Sequence, residues 1–282
     1  MTKGEAAPAA VVTPGSRNLL LRIAVALVLA PAAIAMAYAG GWLWTALVTL
    51  ASIGLFVEWL SIVGEAKRIP VFASGVIALA LAGGLLAFGR VEIALIVLLL
   101  GLAAVAGLTP ERRIWAVTGF GYAAAAELAS VLLRRDPVQG WTALMLVLLV
   151  VWVTDIGGYF AGRGIGGPKL WPRVSPNKTW AGAIGGFAAS LAVAWGFSAF
   201  GLGKTGALLL LGSALSIASQ LGDLFESAVK RRFGVKDSSH IIPGHGGLLD
   251  RLDGFVAAVV VAAIFGLLRG GVDGVAPGLM VW

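Results

Sequence analysis

Apolar residues fill this chain in long runs, not in stripes. The runs lie near 18–39, 41–63, 70–89, 91–108, 114–133, 141–161, 181–201, 205–229 and 254–271. Most extend for roughly 18 to 23 residues, enough for a helix to cross a bilayer core of about 30 Å. The pattern predicts an all-α, polytopic integral membrane helix bundle with about nine transmembrane helices. The least marked boundary is between the third and fourth runs, where only Gly89, Arg90 and Glu92 indicate a turn. Residues 1–16 are Ala- and Pro-rich and read as a disordered N-terminal tail. The small-residue segment AMAYAG at 35–40 offers a signal-peptidase site. The first run is long for a signal peptide and is interrupted by Arg22 and Pro31, so a retained first span is favoured.

Composition supports this picture. The 282 residues are 59% apolar and only 12% charged, about half the ~25% usual for soluble domains. Forty glycines and ten tryptophans suit close helix packing and interfacial anchoring. There is no cysteine, so neither a disulfide nor a thiolate metal site exists. The net charge of +7 is scattered through short loops, without the basic helix or aromatic-interleaved patch of a nucleic-acid binder. With nine spans, the N-terminus and the even-numbered loops carry sixteen of the 21 Lys and Arg. The positive-inside rule puts that side in the cytoplasm.

Polar residues divide the chain into N-terminal transmembrane helices (17–139) and a C-terminal catalytic region (140–282). In the first half Glu58 and Glu127 lie within apolar runs and read as groups facing the bundle interior or an interface. In the second half three polar clusters fall on the basic side. The first spans 154–182 and contains Asp155, a GRGIGG segment at 162–167 and SPNKT at 175–179. GRGIGG follows no strand and reads as a loop whose backbone can approach a ligand, not as a dinucleotide fingerprint. Ser175 and Pro176 are expected at the N-cap and first turn of the seventh helix. Lys178 and Thr179 there suit an anion site or an ordinary capped helix equally.

The second cluster is a helical stripe of Ser216, Gln220, Asp223, Ser227 and Lys230, spaced three and four apart, with Glu226 beside it. It reads either as an ion-paired face, Asp223 or Glu226 with Lys230, or as part of a metal site. The third, HIIPGHGGLLDRLDG at 240–254, holds both histidines of the chain, His240 and His245, and the acids Asp250 and Asp253. Oxygen ligands suit Mg²⁺ and not zinc. Gly244, Gly246 and Gly247 allow close backbone approach to a ligand. Ten of the chain's 35 charged residues fall within 223–254, acids interleaved with Lys and Arg. Phosphoryl or nucleotidyl transfer needs that mixture. GLGKT at 201–205 is no P-loop, because Ser198 stands where the pattern needs glycine and Lys204 falls on the opposite side.

Residues 227–253 resemble the signature of the phosphatidate cytidylyltransferase (CDP-diacylglycerol synthase) family. The matching positions are Ser227, Lys230, Arg231, Lys236, Asp237, Pro243, His245, Gly246, Gly247, Asp250, Arg251 and Asp253. Asp155, Gly157, Tyr159, Ser175, Pro176, Lys178 and Thr179 extend the resemblance upstream, and Ala181 departs from it where many relatives carry Glu. The resemblance implies transfer of the cytidylyl group of CTP to phosphatidic acid in phospholipid biosynthesis, giving CDP-diacylglycerol and pyrophosphate. It implies an enzyme of a bacterial inner membrane, with its N-terminus and active site cytoplasmic at the C-terminal helices. Its cofactor would be Mg²⁺, with a second metal ion as an option, and a homodimer is compatible with it. By that resemblance Asp223, Asp250 and Asp253 would serve the metal. Asp223, Asp250, Lys230, Arg231 and His245 would be catalytic. Ser175, Lys178, Thr179, Asp155, Ser227, Lys236 and Arg251 would bind substrate. The alternatives are a CTP-dependent lipid kinase, a cytidylyltransferase for another lipid phosphate and, outside enzymes, a phosphate or cation transporter. A CDP-alcohol phosphotransferase fits less well, because Asp250 and Asp253 are too close together and Ala258 replaces its arginine.

Overall fold

The computed structural model describes residues 31–239 and 246–282. Residues 31–39 are helical and lead through Gly40 into α1 (Gly41–Val63). Then follow α2 (Ile69–Ala87), α3 (Val91–Leu108), α4 (Arg113–Arg134) and α5 (Gly140–Gly164). A short hairpin of β1 (Lys169–Trp171) and β2 (Ser175–Thr179) precedes α6 (Trp180–Ala199), α7 (Thr205–Arg232) and α8 (Leu249–Gly270). A 3₁₀ turn at Val272–Gly274 leads to a short α9 (Val275–Met280). Among the described residues eight helices, α1 to α8, are long and apolar enough to cross a membrane. They match eight of the nine expected spans. The remaining one, 18–39, lies largely outside the described residues.

The helices bury small and apolar side chains against one another and leave large ones outside. Phe88, Ile93, Leu99 and Leu100 on and beside α3 are exposed, as a lipid-facing surface requires. Trp59, Phe56, Phe120 and Leu144 are fully buried. The tightest pair is α5 with α6, where glycines stand in for side chains. A Cβ on Gly182 would lie 2.8 Å from the Gly158 carbonyl, and one on Gly157 2.7 Å from Ala189 Cβ. Small residues at such contacts let helix backbones approach where lipid supplies no hydrophobic drive.

The two regions divided at residue 139 pack on each other: α8 lies against α4 and touches α1. Contacts between connections mark two ends of the bundle. At one end Arg68 pairs with Glu65 at 2.8 Å, Arg112 bonds the Val63 carbonyl, and the Arg112 guanidinium lies 5.7 Å from the Phe233 ring. At the other, Arg134 donates to the Ala37 and Tyr38 carbonyls and Arg135 faces Asp273 at 3.4 Å. The first end carries the α1–α2, α3–α4, α5–α6 and α7–α8 connections, the basic side of the alternation deduced from charge.

Two local expectations are corrected. Ser175–Thr179 is a strand, paired antiparallel with β1, and not the start of a helix. An N-cap before proline is itself extended, so the local sequence suits either outcome, and pairing of Lys169 with Thr179 and Trp171 with Ser175 carries the strand on to Thr179. The cap falls instead to Thr179, whose Oγ1 accepts from Gly182 N at 3.1 Å. The GRGIGG segment is likewise only partly loop. Gly162 and Gly164 complete α5, and only Gly166 and Gly167, at φ 68° and 89°, form the left-handed turn into the hairpin.

Candidate active site

Polar side chains on α5, β2, α7 and α8 converge at the basic end in two groups. The first is built around Asp223. It lies two turns inside the end of α7 and forms an ion pair with Lys178 of β2. Ser227 Oγ donates to Asp223 Oδ1 at 3.4 Å, one turn on. Asp155 of α5 and Asp253 of α8 share the electrostatic neighbourhood of Asp223 and Lys178. Deeper in the bundle the same α7 stripe continues. Gln220 donates to the Ala183 carbonyl and Ser216 Oγ at 3.4 Å, and Ser216 Oγ lies 3.0 Å from Thr154 Oγ1. The inner part of the predicted stripe, Ser216 and Gln220, therefore faces α5 and α6, whereas Asp223 turns to β2 and Lys230 to α8.

A cavity of about 550 Å³ opens beside this group. Its walls include Asp155, Tyr159 and Arg163 of α5, Lys178 and Thr179 of β2, and Gln220 of α7. Arg163 Nη1 donates to Tyr159 Oη at 2.9 Å. The glycines of the α5–α6 seam, Gly158, Gly162 and Gly182, contribute backbone to the wall. A phosphate-bearing ligand there would meet the cations Lys178 and Arg163, the Thr179 hydroxyl and the Tyr159 ring that Arg163 contacts.

The second group centres on Lys230, in the last turn of α7. Its Nζ lies 2.6 Å from Glu226 Oε2 and 2.5 Å from Asp250 Oδ1. Asp250 Oδ2 accepts from Ser238 N at 3.1 Å, Ser238 Oγ at 3.0 Å and Gly247 N at 3.0 Å. Asp250 and Asp253 sit in the first turns of α8, near its positive end. Glu58 of α1 reaches the same place and is 1% exposed. Ser238 and Ser239 donate their hydroxyls to it at 2.8 and 2.6 Å, and Leu248 N and Leu249 N donate at 2.8 Å each.

The structure thus puts Asp155, Lys178 and Thr179 in the cavity wall, Asp223 behind it through its ion pair with Lys178, Asp253 near Asp223, and Lys230 with Asp250 in a separate group. Ser175 lies opposite Trp171 in the hairpin and is not a cavity-wall residue. Arg231, Lys236 and Arg251 are exposed at the same end, and Arg231 bonds the Val235 carbonyl at 3.1 Å. His240, Pro243, Gly244 and His245 lie outside the described residues. Of the two readings of the α7 stripe, the ion-paired one is present: Glu226 with Lys230, and Asp223 with Lys178 from another element. Among the described residues no group of three or more acids or histidines is close enough to hold a metal ion. Glu58 and Ser238 have no signal in spacing, because Glu58 lies 180 positions from its nearest hydroxyl partner in sequence. Only its place, an acid about one turn from the end of an apolar run, hints at a buried partner.

The model of the cytidylyltransferase family matches residues 20–268 of this chain. A phosphatidate cytidylyltransferase of Brucella suis is 42% identical over 259 residues, which cover 89% of this chain and 94% of the relative. One from Haemophilus influenzae is 46% identical over 138 residues, covering 46% of this chain and 48% of the relative. One from Staphylococcus haemolyticus is 53% identical over 121 residues, 42% of this chain and 46% of the relative.

Proposed function

Because the chain belongs to the phosphatidate cytidylyltransferase family, we propose that it transfers the cytidylyl group of CTP to phosphatidic acid, giving CDP-diacylglycerol and pyrophosphate. The observation that carries this reading is the cavity at the basic end, walled by Asp155, Arg163, Lys178 and Thr179 and joined to Asp223 through Lys178. It combines cationic groups for a triphosphate with acids for a metal, at the end of the bundle where a lipid headgroup lies. The sixteen-to-five charge split puts this end in the cytoplasm, where CTP is available.

The chemistry needs no protein nucleophile. A phosphate oxygen of the dianionic phosphatidate forms the new bond to the α-phosphorus of CTP. The bond from that phosphorus to the bridging oxygen breaks, and pyrophosphate leaves with the electron pair, so no proton has to be moved. The difficulty is bringing two polyanions together in line, which positioning and fixed positive charge overcome. Lys178 and Arg163 would hold CTP phosphates in the cavity. Lys230 and Arg231 would face the lipid phosphate at the membrane surface. Thr179 and Asp155 would orient the nucleotide, with Ser175, Ser227, Lys236 and Arg251 around the same end.

The site's acids fit Mg²⁺ by donor chemistry, since Asp223, Asp250 and Asp253 offer only oxygen. Asp223 and its neighbour Asp253 would hold it, while Asp250 is held apart from them by Lys230. When bound, the ion would supply positive charge to offset that of the phosphates. The test is incubation of the purified protein with CTP, phosphatidate and Mg²⁺. CDP-lipid and pyrophosphate in equal amounts are expected. Release of CDP with a newly phosphorylated lipid would establish the kinase instead.

A further inference from the structure

We infer that Glu58, on α1 and 180 residues before Ser238, is a positioning residue for Asp250 and Lys230. Glu58 accepts four hydrogen bonds, two on each oxygen: Ser239 Oγ and Leu248 N on Oε1, Ser238 Oγ and Leu249 N on Oε2. Two of these donors are backbone N–H groups at the start of α8. Helix starts leave such groups without intrahelical partners, and a side-chain oxygen usually supplies one. Here the N-cap is Leu248, whose side chain has no acceptor and makes no cap bond. Glu58 fills that role from α1, with a carboxylate at the positive end of the α8 dipole.

The clamp reaches the reactive residues through Ser238. The single hydroxyl proton of Ser238 lies between Glu58 Oε2, at 2.8 Å, and Asp250 Oδ2, at 3.0 Å. Ser238 N holds the same Asp250 oxygen, and the other oxygen of Asp250 holds Lys230. A continuous chain of bonds therefore runs from Glu58 through Ser238 and Asp250 to Lys230 and Glu226. The packing leaves no slack. A Cβ on Gly247 would lie 2.6 Å from Glu58 Oε2, so only glycine fits between the clamp and Asp250.

This inference rests on the reading of Asp250 and Lys230 as working groups of a cytidylyltransferase. The test compares wild type with Glu58→Gln, which keeps the size but replaces one acceptor oxygen by a donor. Its kcat should fall about tenfold or more while KM for CTP and phosphatidate stays within about threefold. Amide exchange in the peptide around Leu248 and Leu249 should quicken, and Glu58→Asp should recover part of both. Ser238→Ala, which removes the hydroxyl bridge but no backbone contact, should lower kcat in a fold that melts normally. Combined with Glu58→Gln it should add little, since both break one chain. Variants with wild-type kcat and unchanged exchange would overturn the inference. So would a kcat loss in Glu58→Gln without any in Ser238→Ala. If wild type itself forms no CDP-lipid, the functional reading fails, and the exchange measurement alone then decides whether Glu58 holds the segment.

Discussion

Lys230 Nζ lies 2.5 Å from Asp250 Oδ1, so one ion pair ties the last turn of α7 to the first turn of α8. The same ammonium lies 2.6 Å from Glu226, which is 1% exposed. One buried cation thus serves two acids from two helices, and removing it leaves Glu226 without its ion-pair partner and Asp250 with its Ser238 and Gly247 donors.

Lys230→Met should therefore do two kinds of damage. Breaking a buried pair by deleting one partner costs about 3 kcal/mol or more. The thermal midpoint in detergent should drop by several degrees, and CDP-lipid formation should fall at least about a hundredfold. Adding Glu226→Gln should restore part of the midpoint and none of the activity.

Asp223→Asn tests the other group. Among the described residues Asp223 is held by Lys178 and Ser227, both near the end of the bundle, so its loss should be tolerated by the fold. The variant should melt near wild type and yet form no CDP-lipid. Near-normal turnover at saturating Mg²⁺ would remove Asp223 from the metal assignment. Chelation should silence the wild-type enzyme, and Mg²⁺ should restore it where Zn²⁺ does not.

Thr179 caps α6 through Gly182 N and lines the cavity. Thr179→Ala should cost about 1 kcal/mol of stability, while Thr179→Ser, an equal or better cap, should keep the capping contribution. A matching gap in KM for CTP between the two variants would show that the hydroxyl also meets the nucleotide.

The orientation can be read directly, because the chain has no cysteine of its own. Single Lys236→Cys and Arg90→Cys variants lie at opposite ends of the bundle. A membrane-impermeant maleimide applied to intact cells should label position 90 and not position 236. The reverse pattern would invert the topology and move the cavity away from cytoplasmic CTP.

Much of this architecture could be read from the chain because the physics is one-dimensional. A helix in lipid must be apolar along about 20 residues, so α1 and α3 begin and end where the apolar runs do. The α7 stripe was legible for the same reason, since spacing of three and four fixes one face. The hairpin was less so. Ser175 and Pro176 carry helix-start chemistry, and only the pairing with Lys169–Trp171 decides against it. The partition of the acids was hidden too. Asp223 and Asp250 were expected at one centre, but their lysines, Lys178 and Lys230, come from different elements and hold them in separate groups. Glu58 belongs to a third kind, a local anomaly whose meaning lies in a segment far along the chain.

That distance has a consequence for how the protein is made. Glu58 enters the membrane 180 residues before Ser238 is synthesised and 191 before Leu249. Throughout that interval α1 carries an acid near the membrane surface with none of its four donors present. Insertion intermediates must keep it hydrated until α8 arrives. The final docking of α8 is then the step that withdraws this carboxylate from water, so late assembly and completion of the catalytic end become one event.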